Sequence, residues 1–423
     1  MRGRVGAMNE GRRQRLATAA RILGGGGSPG RLRRAGMLAV AGALLAGGGG
    51  GIALHRQAAA LDEARRSTGH LVAVQAVRTS LAQADADVTN AFLSGGLEPR
   101  PLRRQYADAT ARASTELVRA ARSDPGRGTE YAEADVALGR YAELMEAART
   151  TNRQGLPVGS NYLRMGSRLL RQQVLPPLAR AADADDATAT SAFGAAGTAG
   201  AWFVACSLTG LALLAVAQAR LARLTRRVVS VPAALSGGVL LALAVAAGVL
   251  CAVAAHSTRQ LERGAAADTA ALAQARVAAF DAKTLESLTL VGRGSTPENE
   301  TSWGVAMRLA RTRASAVHDA VLLPPLDAYA REHAAISALD TGGQWAQGVR
   351  RAISTAPGSA NAGFAAFDTA SQARLDRAAD DVAAGLASAR RPLRPAAALL
   401  AAGGLLAAAG SGAGVSRRLG DYR

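Results

Sequence analysis

The chain has 423 residues and a formal net charge of +18; hydrophobic residues make up 49% of it, whereas aromatic residues make up only 4%. This length allows two or three domains, and an apolar content supplied mainly by Ala, Leu, Val and Gly favours helices over sheets. Such a basic chain would ordinarily indicate nucleic-acid binding. The arginine excess, however, lies in three short segments beside apolar spans, which argues against nucleic acid as a partner and for contact with membrane lipids.

The first apolar span covers residues 36–54 and follows a basic leader, residues 1–35, whose Arg- and Gly-rich composition predicts disorder. The span carries no charge and is rich in glycine at 47–51. A cleaved signal peptide is the alternative interpretation. The long leader and the lack of a clean small-x-small cleavage motif favour an uncleaved membrane anchor.

Residues 55–195 are polar and show helical periodicity, with apolar residues recurring at intervals of three and four. Gly/Pro-rich turns divide the segment, which predicts an antiparallel domain resembling a four-helix bundle. Pro176 and Pro177 are expected to kink or interrupt its last helix. The acidic run of Asp183, Asp185 and Asp186 is expected to form a solvated face near the membrane. The first helix shows the period most clearly, through Val74, Val77, Leu81, Val88 and Phe92.

Two further uncharged spans follow at 196–218 and 231–255, each long enough to cross a bilayer as a helix. The bridge between them, residues 219–230, contains four arginines and no acidic residue. Short basic loops stay in the cytoplasm, so the bridge and both termini are expected inside and the polar segments outside. These arginines are also candidates for coupling to a cytoplasmic partner: Arg220, Arg223, Arg226 and Arg227.

Residues 256–394 repeat the same plan and predict a second extracytoplasmic helical domain, followed by a span at 395–412 and a tail at 413–423. The string LPPL occurs in both polar segments, which favours an ancient duplication; chance in an Ala/Leu-rich chain is the alternative. The predicted fold class is therefore an all-α membrane protein with four transmembrane helices and two extracytoplasmic antiparallel domains resembling four-helix bundles, a multi-pass protein of the plasma membrane.

The sequence carries no catalytic signature. None of its five histidines pairs with another His or with Cys at metal-ligand spacing, and no phosphate-binding, nucleophile or kinase motif occurs. Cys206 and Cys251 lie inside spans, where they are expected to be small buried hydrophobes. We therefore expect neither an enzyme nor a metal or cofactor site, and the lack of ionisable residues in the spans argues against a transport subunit.

The stretch NAFLSGGLEPRPLRRQY, residues 90–106, has two interpretations. It reads as a helix end and turn, in which Phe92 packs, glycines cap the helix and prolines stop it. Alternatively, it forms a membrane-distal tip at which a partner docks. The candidate docking residues are Asn90, Phe92, Gly95, Gly96, Glu98, Arg100 and Arg103.

This layout resembles the four-helix-bundle sensor domains of bacterial chemoreceptors and sensor kinases. Those proteins continue into a cytoplasmic relay and output domain, which we do not expect here. The four spans, the Arg/Ala bias with a single lysine, Lys283, and the string at 90–106 are similar to the actinobacterial GlnX-type membrane component. That resemblance implies a link between an amino-acid-binding lipoprotein outside and a soluble serine/threonine kinase inside. The second domain's equivalent string, LTLVGRGSTPENE, departs from it.

The sequence thus predicts a non-enzymatic transmembrane signal transducer. A cell-envelope scaffold or assembly factor and a transport-system subunit remain the alternatives. The sequence leaves the ligand and the oligomeric state open, including a homo-oligomer.

Overall fold

The computed structural model describes residues 28–95, 98, 100–225, 231–293 and 297–420, and within these ranges it contains helices and turns but no strand. Three π-turns interrupt the long helices, at Leu45–Gly49, Leu170–Val174 and Glu262–Ala266. The α-helices are α1 (Ser28–Leu44), α2 (Gly50–Leu93), α3 (Arg100–Ser123), α4 (Gly128–Arg153), α5 (Gly159–Leu169), α6 (Leu175–Thr225), α7 (Val231–Leu261), α8 (Ala267–Val291), α9 (Pro297–Ala316), α10 (Leu323–Thr341), α11 (Trp345–Ile353), α12 (Ala360–Arg390) and α13 (Leu393–Gly420).

The chain divides into two compact units. The membrane unit comprises the described residues of Met1–Asp62, Ala192–Thr258 and Ala387–Arg423, and the head unit comprises those of Glu63–Ser191 and Arg259–Leu386. Four helical stretches of the described chain are long and apolar enough to cross a membrane, and each overlaps one of the four spans expected from the sequence. The all-α membrane fold is thereby confirmed. Four helices, α2, α6, α7 and α12, begin in one unit and end in the other.

Glycines set the closest helix contacts in the membrane unit. A Cβ atom added to Gly47 would lie 2.3 Å from the Cα of Gly404, and one added to Gly42 would lie 2.7 Å from the backbone oxygen of Gly210. Because glycine has no side chain, the backbone of the first span can touch the backbone of the last span at one pair and that of the second span at the other. The glycine run of the first span therefore serves helix packing.

We predict that Gly404→Ala destabilises the full chain by about 1–3 kcal/mol, because the new methyl group has no space against the backbone at Gly47. Gly412→Ala is the matched control on the same helix, where a Cβ meets nothing within 4 Å. There the substitution should be neutral or slightly stabilising, since alanine favours helices. Thermal unfolding of both variants in nanodiscs checks this expectation, and equal melting temperatures for the two would contradict it.

The head unit contains two apolar cores, one in each half of the polar sequence. The first core is formed by residues 71–182 and includes the fully buried Tyr131, Tyr141 and Met145, and the second is formed mainly by residues 272–375. Each core borrows side chains from the other half. Leu288 of α8 belongs to the first core, and Ala82, Ala86 and Leu93 of α2 belong to the second. The two halves of the head unit are consequently packed against each other.

The second core encloses a charged cluster built around the chain's single lysine. Lys283 Nζ lies 2.6 Å from Glu286 Oε1, and His333 Nδ1 lies 2.9 Å from Glu286 Oε2. Trp303 stacks on the His333 ring with centroids 3.6 Å apart, and His333 Nε2 lies 3.3 Å from Glu300 Oε1. Lys283 and Glu286 are 4% and 2% exposed. Lys283 and His333 hold the pKa of Glu286 below its ordinary value, although burial opposes them.

We predict that Lys283→Met lowers the free energy of unfolding by about 3 kcal/mol or more, because it leaves the buried Glu286 carboxylate without its ammonium partner. The double variant Lys283→Met/Glu286→Gln should lose less, since it removes both charges together. Urea unfolding of the full chain in micelles, followed by tryptophan fluorescence, measures the difference. A double variant that is less stable than the single one would show that the pair has another role.

Candidate functional site

A cavity of about 640 Å³ in the head unit forms a cleft between its two halves. We call it the interhelix cleft. It is lined by α2 and by the start of α6 from the first half, and by α8 and α9 from the second. Its charged lining residues are three arginines and three aspartates, Arg78, Arg171, Arg313, Asp85, Asp183 and Asp281. Its apolar wall includes Leu170, Leu175, Val277, Val305 and Leu309.

A π-turn shapes one wall of the cleft. Pro176 and Pro177 cannot donate backbone hydrogen bonds to the carbonyls four residues earlier, and the wider turn at Leu170–Val174 immediately precedes them. The expected interruption of this helix is therefore a π-turn, after which the helix continues to Thr225. Two residues of the turn, Leu170 and Arg171, line the cleft. Single π-turns within α-helices occur frequently at functional sites.

Asp85 is the most deeply buried charged residue of the cleft, at 2% exposure. Its Oδ1 accepts hydrogen bonds from Ser167 Oγ at 2.7 Å and from Tyr141 Oη at 3.3 Å. Burial raises the pKa of Asp85 to about 6, and the nearby Arg171 partly offsets that rise. Asp281 lies 3.5 Å from Arg171 Nη1, and burial likewise raises the pKa of this carboxyl group.

Two arginines of the cleft each have a buried N–H donor without a hydrogen-bond partner. Arg78 donates one hydrogen bond, from Nη1 to Gln75 Oε1 at 3.0 Å, but its Nε is buried and has no partner. Arg171 Nη1 is also buried without a hydrogen bond, despite its ion pair with Asp281. Desolvation lowers the pKa of Arg78. Buried donors are normally satisfied, so these two groups are suited to donate hydrogen bonds to a ligand's oxygen atoms.

The structure brings together four of the predicted docking residues. Phe92, Glu98, Arg100 and Arg103 line a pocket of about 190 Å³. Arg149 pairs with Glu98, with Nε and Oε2 3.3 Å apart, and lies 3.9 Å above the ring centroid of Tyr106.

The remaining docking candidates lie around this pocket without lining it. Gly95 has φ of +66°, which suits a glycine after a helix end, and Phe92 packs on the first core. Asn90 does not line the pocket, and its Oδ1 is buried without a partner. Gly96 lies outside the described residues. The docking role of these residues stays a prediction.

The predicted coupling residues lie partly within the described chain. Arg220 and Arg223 are exposed in the last turns of α6. Arg226 and Arg227 fall outside the described residues, as do residues 1–27 of the leader and 421–423 of the tail.

The expectation for the acidic run was wrong at one position. Asp183 and Asp186 are exposed, but Asp185 is 2% exposed and pairs with Arg127, whose Nη1 lies 2.9 Å from Asp185 Oδ1. Ligand atoms of Asp185, Asp124 and His70 lie within 4.8 Å of one another. Arg127 also pairs with Asp124 at 3.1 Å, so a guanidinium group neutralises both carboxylates. Sequence spacing could not reveal this cluster, because His70, Asp124 and Asp185 are each more than 50 residues apart in the sequence.

We predict that Asp85 makes the head unit more stable as the pH falls. Its pKa is about 6 when folded and about 3.9 when unfolded, so the folded state binds the proton more tightly. The gain begins as the pH drops through about 6, is complete below about 4, and amounts to roughly 2–3 kcal/mol. Melting curves of the full chain between pH 4 and pH 8 measure it. Asp85→Asn should remove this part of the pH dependence, whereas Asp183→Asn, an exposed residue of the same cleft, should retain it.

Comparison with known proteins supports a sensing role for the first half of the head unit. Residues 60–194, roughly a third of the chain, match the family model described as an actinobacterial sensor domain. No curated protein and no solved structure matches the chain. The matched range contains Arg78, Asp85 and Arg171 of the interhelix cleft and all of the predicted docking residues. Together with the four apolar helices, the match fits an actinobacterial membrane sensor.

Proposed function

We propose that the chain is a transmembrane sensor without catalytic activity of its own, and that occupancy of the interhelix cleft changes the arrangement of its membrane spans. The observation that carries the proposal is helix continuity. Helices α2 and α6 both line the cleft, and both continue into apolar spans of the membrane unit. The family match of residues 60–194 to a sensor domain supports the same role.

The relay follows from how packed helices move. A ligand that contacts Arg78 on α2 and Arg171 in the π-turn favours one spacing of these two helices over another. Packed helices switch between discrete arrangements, and the ligand shifts their equilibrium only by its difference in affinity for the two arrangements. In the membrane unit, the backbone contact between Gly42 and Gly210 links the first span to α6. A shift of α6 therefore changes a contact between two spans.

The proposal places the head unit outside the cell and both termini inside, because the basic bridge at 219–230 follows the rule that arginine-rich loops stay in the cytoplasm. The bridge, with Arg220 and Arg223 exposed at its start, then presents the signal to a cytoplasmic partner. We propose a serine/threonine kinase as that partner and a solute-binding lipoprotein as a second input, docked at the pocket beside Glu98 and Arg103. The resemblance to GlnX-type proteins supports both partners.

The envelope scaffold remains the second candidate, because two interlocked helical halves would also suit a static assembly role. A transport subunit is disfavoured, since the spans at 36–54, 196–218, 231–255 and 395–412 contain no Asp, Glu, Lys or Arg. Deleting the gene separates the first two functions. A sensor's deletion changes the phosphorylation of cytoplasmic proteins, whereas a scaffold's deletion changes envelope integrity alone.

We predict that replacing Arg220, Arg223, Arg226 and Arg227 together by glutamine uncouples signalling, because it removes the charges that face the cytoplasmic partner. The measurement is the serine/threonine phosphorylation of cytoplasmic proteins in cells that carry the variant, the wild type or a deletion. We expect the variant to resemble the deletion.

Two controls accompany this experiment. Arg308→Gln/Arg377→Gln removes exposed arginines of the head unit and should leave phosphorylation unchanged. Impermeant labelling of single cysteines in the bridge and in α3 reports the insertion of each variant. A correctly inserted bridge variant with wild-type phosphorylation contradicts the coupling role, and a bridge that is labelled from outside contradicts the orientation.

A further inference from the structure

We infer that the interhelix cleft binds a small zwitterion, with the ligand's carboxylate at Arg78 and Arg171, its ammonium group at Asp85 and Asp281, and its apolar body against the aliphatic wall. This inference rests on the proposed sensing role of the cleft and adds the chemical class of the ligand.

The carboxylate end is indicated by the unsatisfied arginine donors. Arg78 Nε and Arg171 Nη1 are buried and make no hydrogen bond, and both residues line the cavity. Guanidinium N–H groups are matched to carboxylate oxygens in geometry and charge. A carboxylate placed here would accept hydrogen bonds from Arg78 Nε, which has no partner, and from Arg171 Nη1, which has only the 3.5 Å ion pair with Asp281.

The ammonium end is indicated by the carboxylates on the same walls. Asp281 faces Arg171 at 3.5 Å, an ion-pair distance without a hydrogen bond. Asp85 is held by Ser167 and Tyr141, which fixes the carboxyl group in place. A ligand that carries both charges can therefore bind Arg171 through its carboxylate and Asp281 through its ammonium group.

Charge balance separates a zwitterion from a singly charged ligand. The cleft is lined by three arginines and three aspartates, so its formal charge is balanced. A simple anion or a simple amine would bring an uncompensated charge into a partly desolvated site, which is costly. A zwitterion preserves the balance and pairs each of its ends.

The remaining surface defines the body of the ligand. Leu170, Val277, Val305 and Leu309 form an aliphatic wall. The volume of about 640 Å³ falls in the usual range of small-molecule sites, about 300–1,000 Å³. An apolar body of modest size therefore fits better than a polyhydroxylated one.

Binding to the full chain in nanodiscs tests the assignment, with calorimetry and two matched probe sets. Each set contains an amino acid, its deaminated analogue and its decarboxylated analogue: L-leucine, 4-methylpentanoate and 3-methylbutylamine, and L-phenylalanine, 3-phenylpropanoate and 2-phenylethylamine. We expect at least one amino acid to bind at least about tenfold more tightly than both of its analogues. Equal binding of a singly charged analogue, or no binding of either amino acid up to about 10 mM, overturns the inference.

Variants assign the two ends of the ligand. Arg171→Gln should weaken the amino acid and the deaminated acid alike, about tenfold or more. Asp281→Asn should weaken the amino acid but not the deaminated acid, a selectivity that general loss of structure would not produce. Arg308→Gln, on α9 but outside the cleft, is the control and should bind as the wild type does. If Asp281→Asn weakens both ligands equally, the assignment of the ammonium end is wrong.

The ligand class and the proposed sensing function can be refuted separately. Amino-acid binding without any effect of Arg171→Gln on phosphorylation in cells would overturn the relay and retain the ligand class. A phosphorylation change in the Arg171→Gln cells without amino-acid binding in nanodiscs would overturn the ligand class and retain the relay.

Discussion

Close contact between helices with small side chains is the constraint on which this structure depends. The chain has few aromatic residues, so large rings cannot fill the space between its helices at every contact. Gly47 and Gly404 meet backbone to backbone in the membrane unit, and alanines such as Ala82 and Ala86 join the two cores of the head unit. Small residues stabilise a helix–helix contact only when the two helices lie close together, because dispersion and backbone contacts weaken quickly with distance. The interhelix cleft is lined by charged side chains as well as by alanines of the same helices, Ala82 among them.

The head unit contains two groups of buried charged side chains. We assign one group a structural role and the other a role in ligand binding. In the cluster of Lys283, Glu286 and His333, each charged or polar group has a partner at hydrogen-bonding distance. In the interhelix cleft, the pairing is incomplete: Arg171 and Asp281 are 3.5 Å apart, and the Nε of Arg78 has no partner. A network in which every group is paired stabilises one arrangement of helices. An incomplete network is stabilised further when a ligand supplies the missing hydrogen bonds. The first therefore suits a rigid core and the second a switchable site.

Sequence reasoning could locate the spans and the helices because both depend on local patterns. The three- and four-residue spacing through Val74, Val77 and Leu81 predicts a buried stripe, and all three residues are buried. It could not find the cleft, because Arg78, Arg171 and Asp281 are distant in sequence and each resembles an ordinary exposed charge. Asp185 misled it for a related reason: its burial depends on Arg127 from another segment. The prolines at 176 and 177 did signal an irregularity, but the choice of a π-turn depends on tertiary packing.

The position of Lys283 has a practical consequence for chemistry on this protein. It is the chain's one lysine, and it lies at 4% exposure in the second core. Reagents that acylate side-chain amines therefore have a single target, which the folded head unit shields from solvent. Acylation of that amine reports transient opening of the second half, because the ammonium group must leave Glu286 and reach water before it can react.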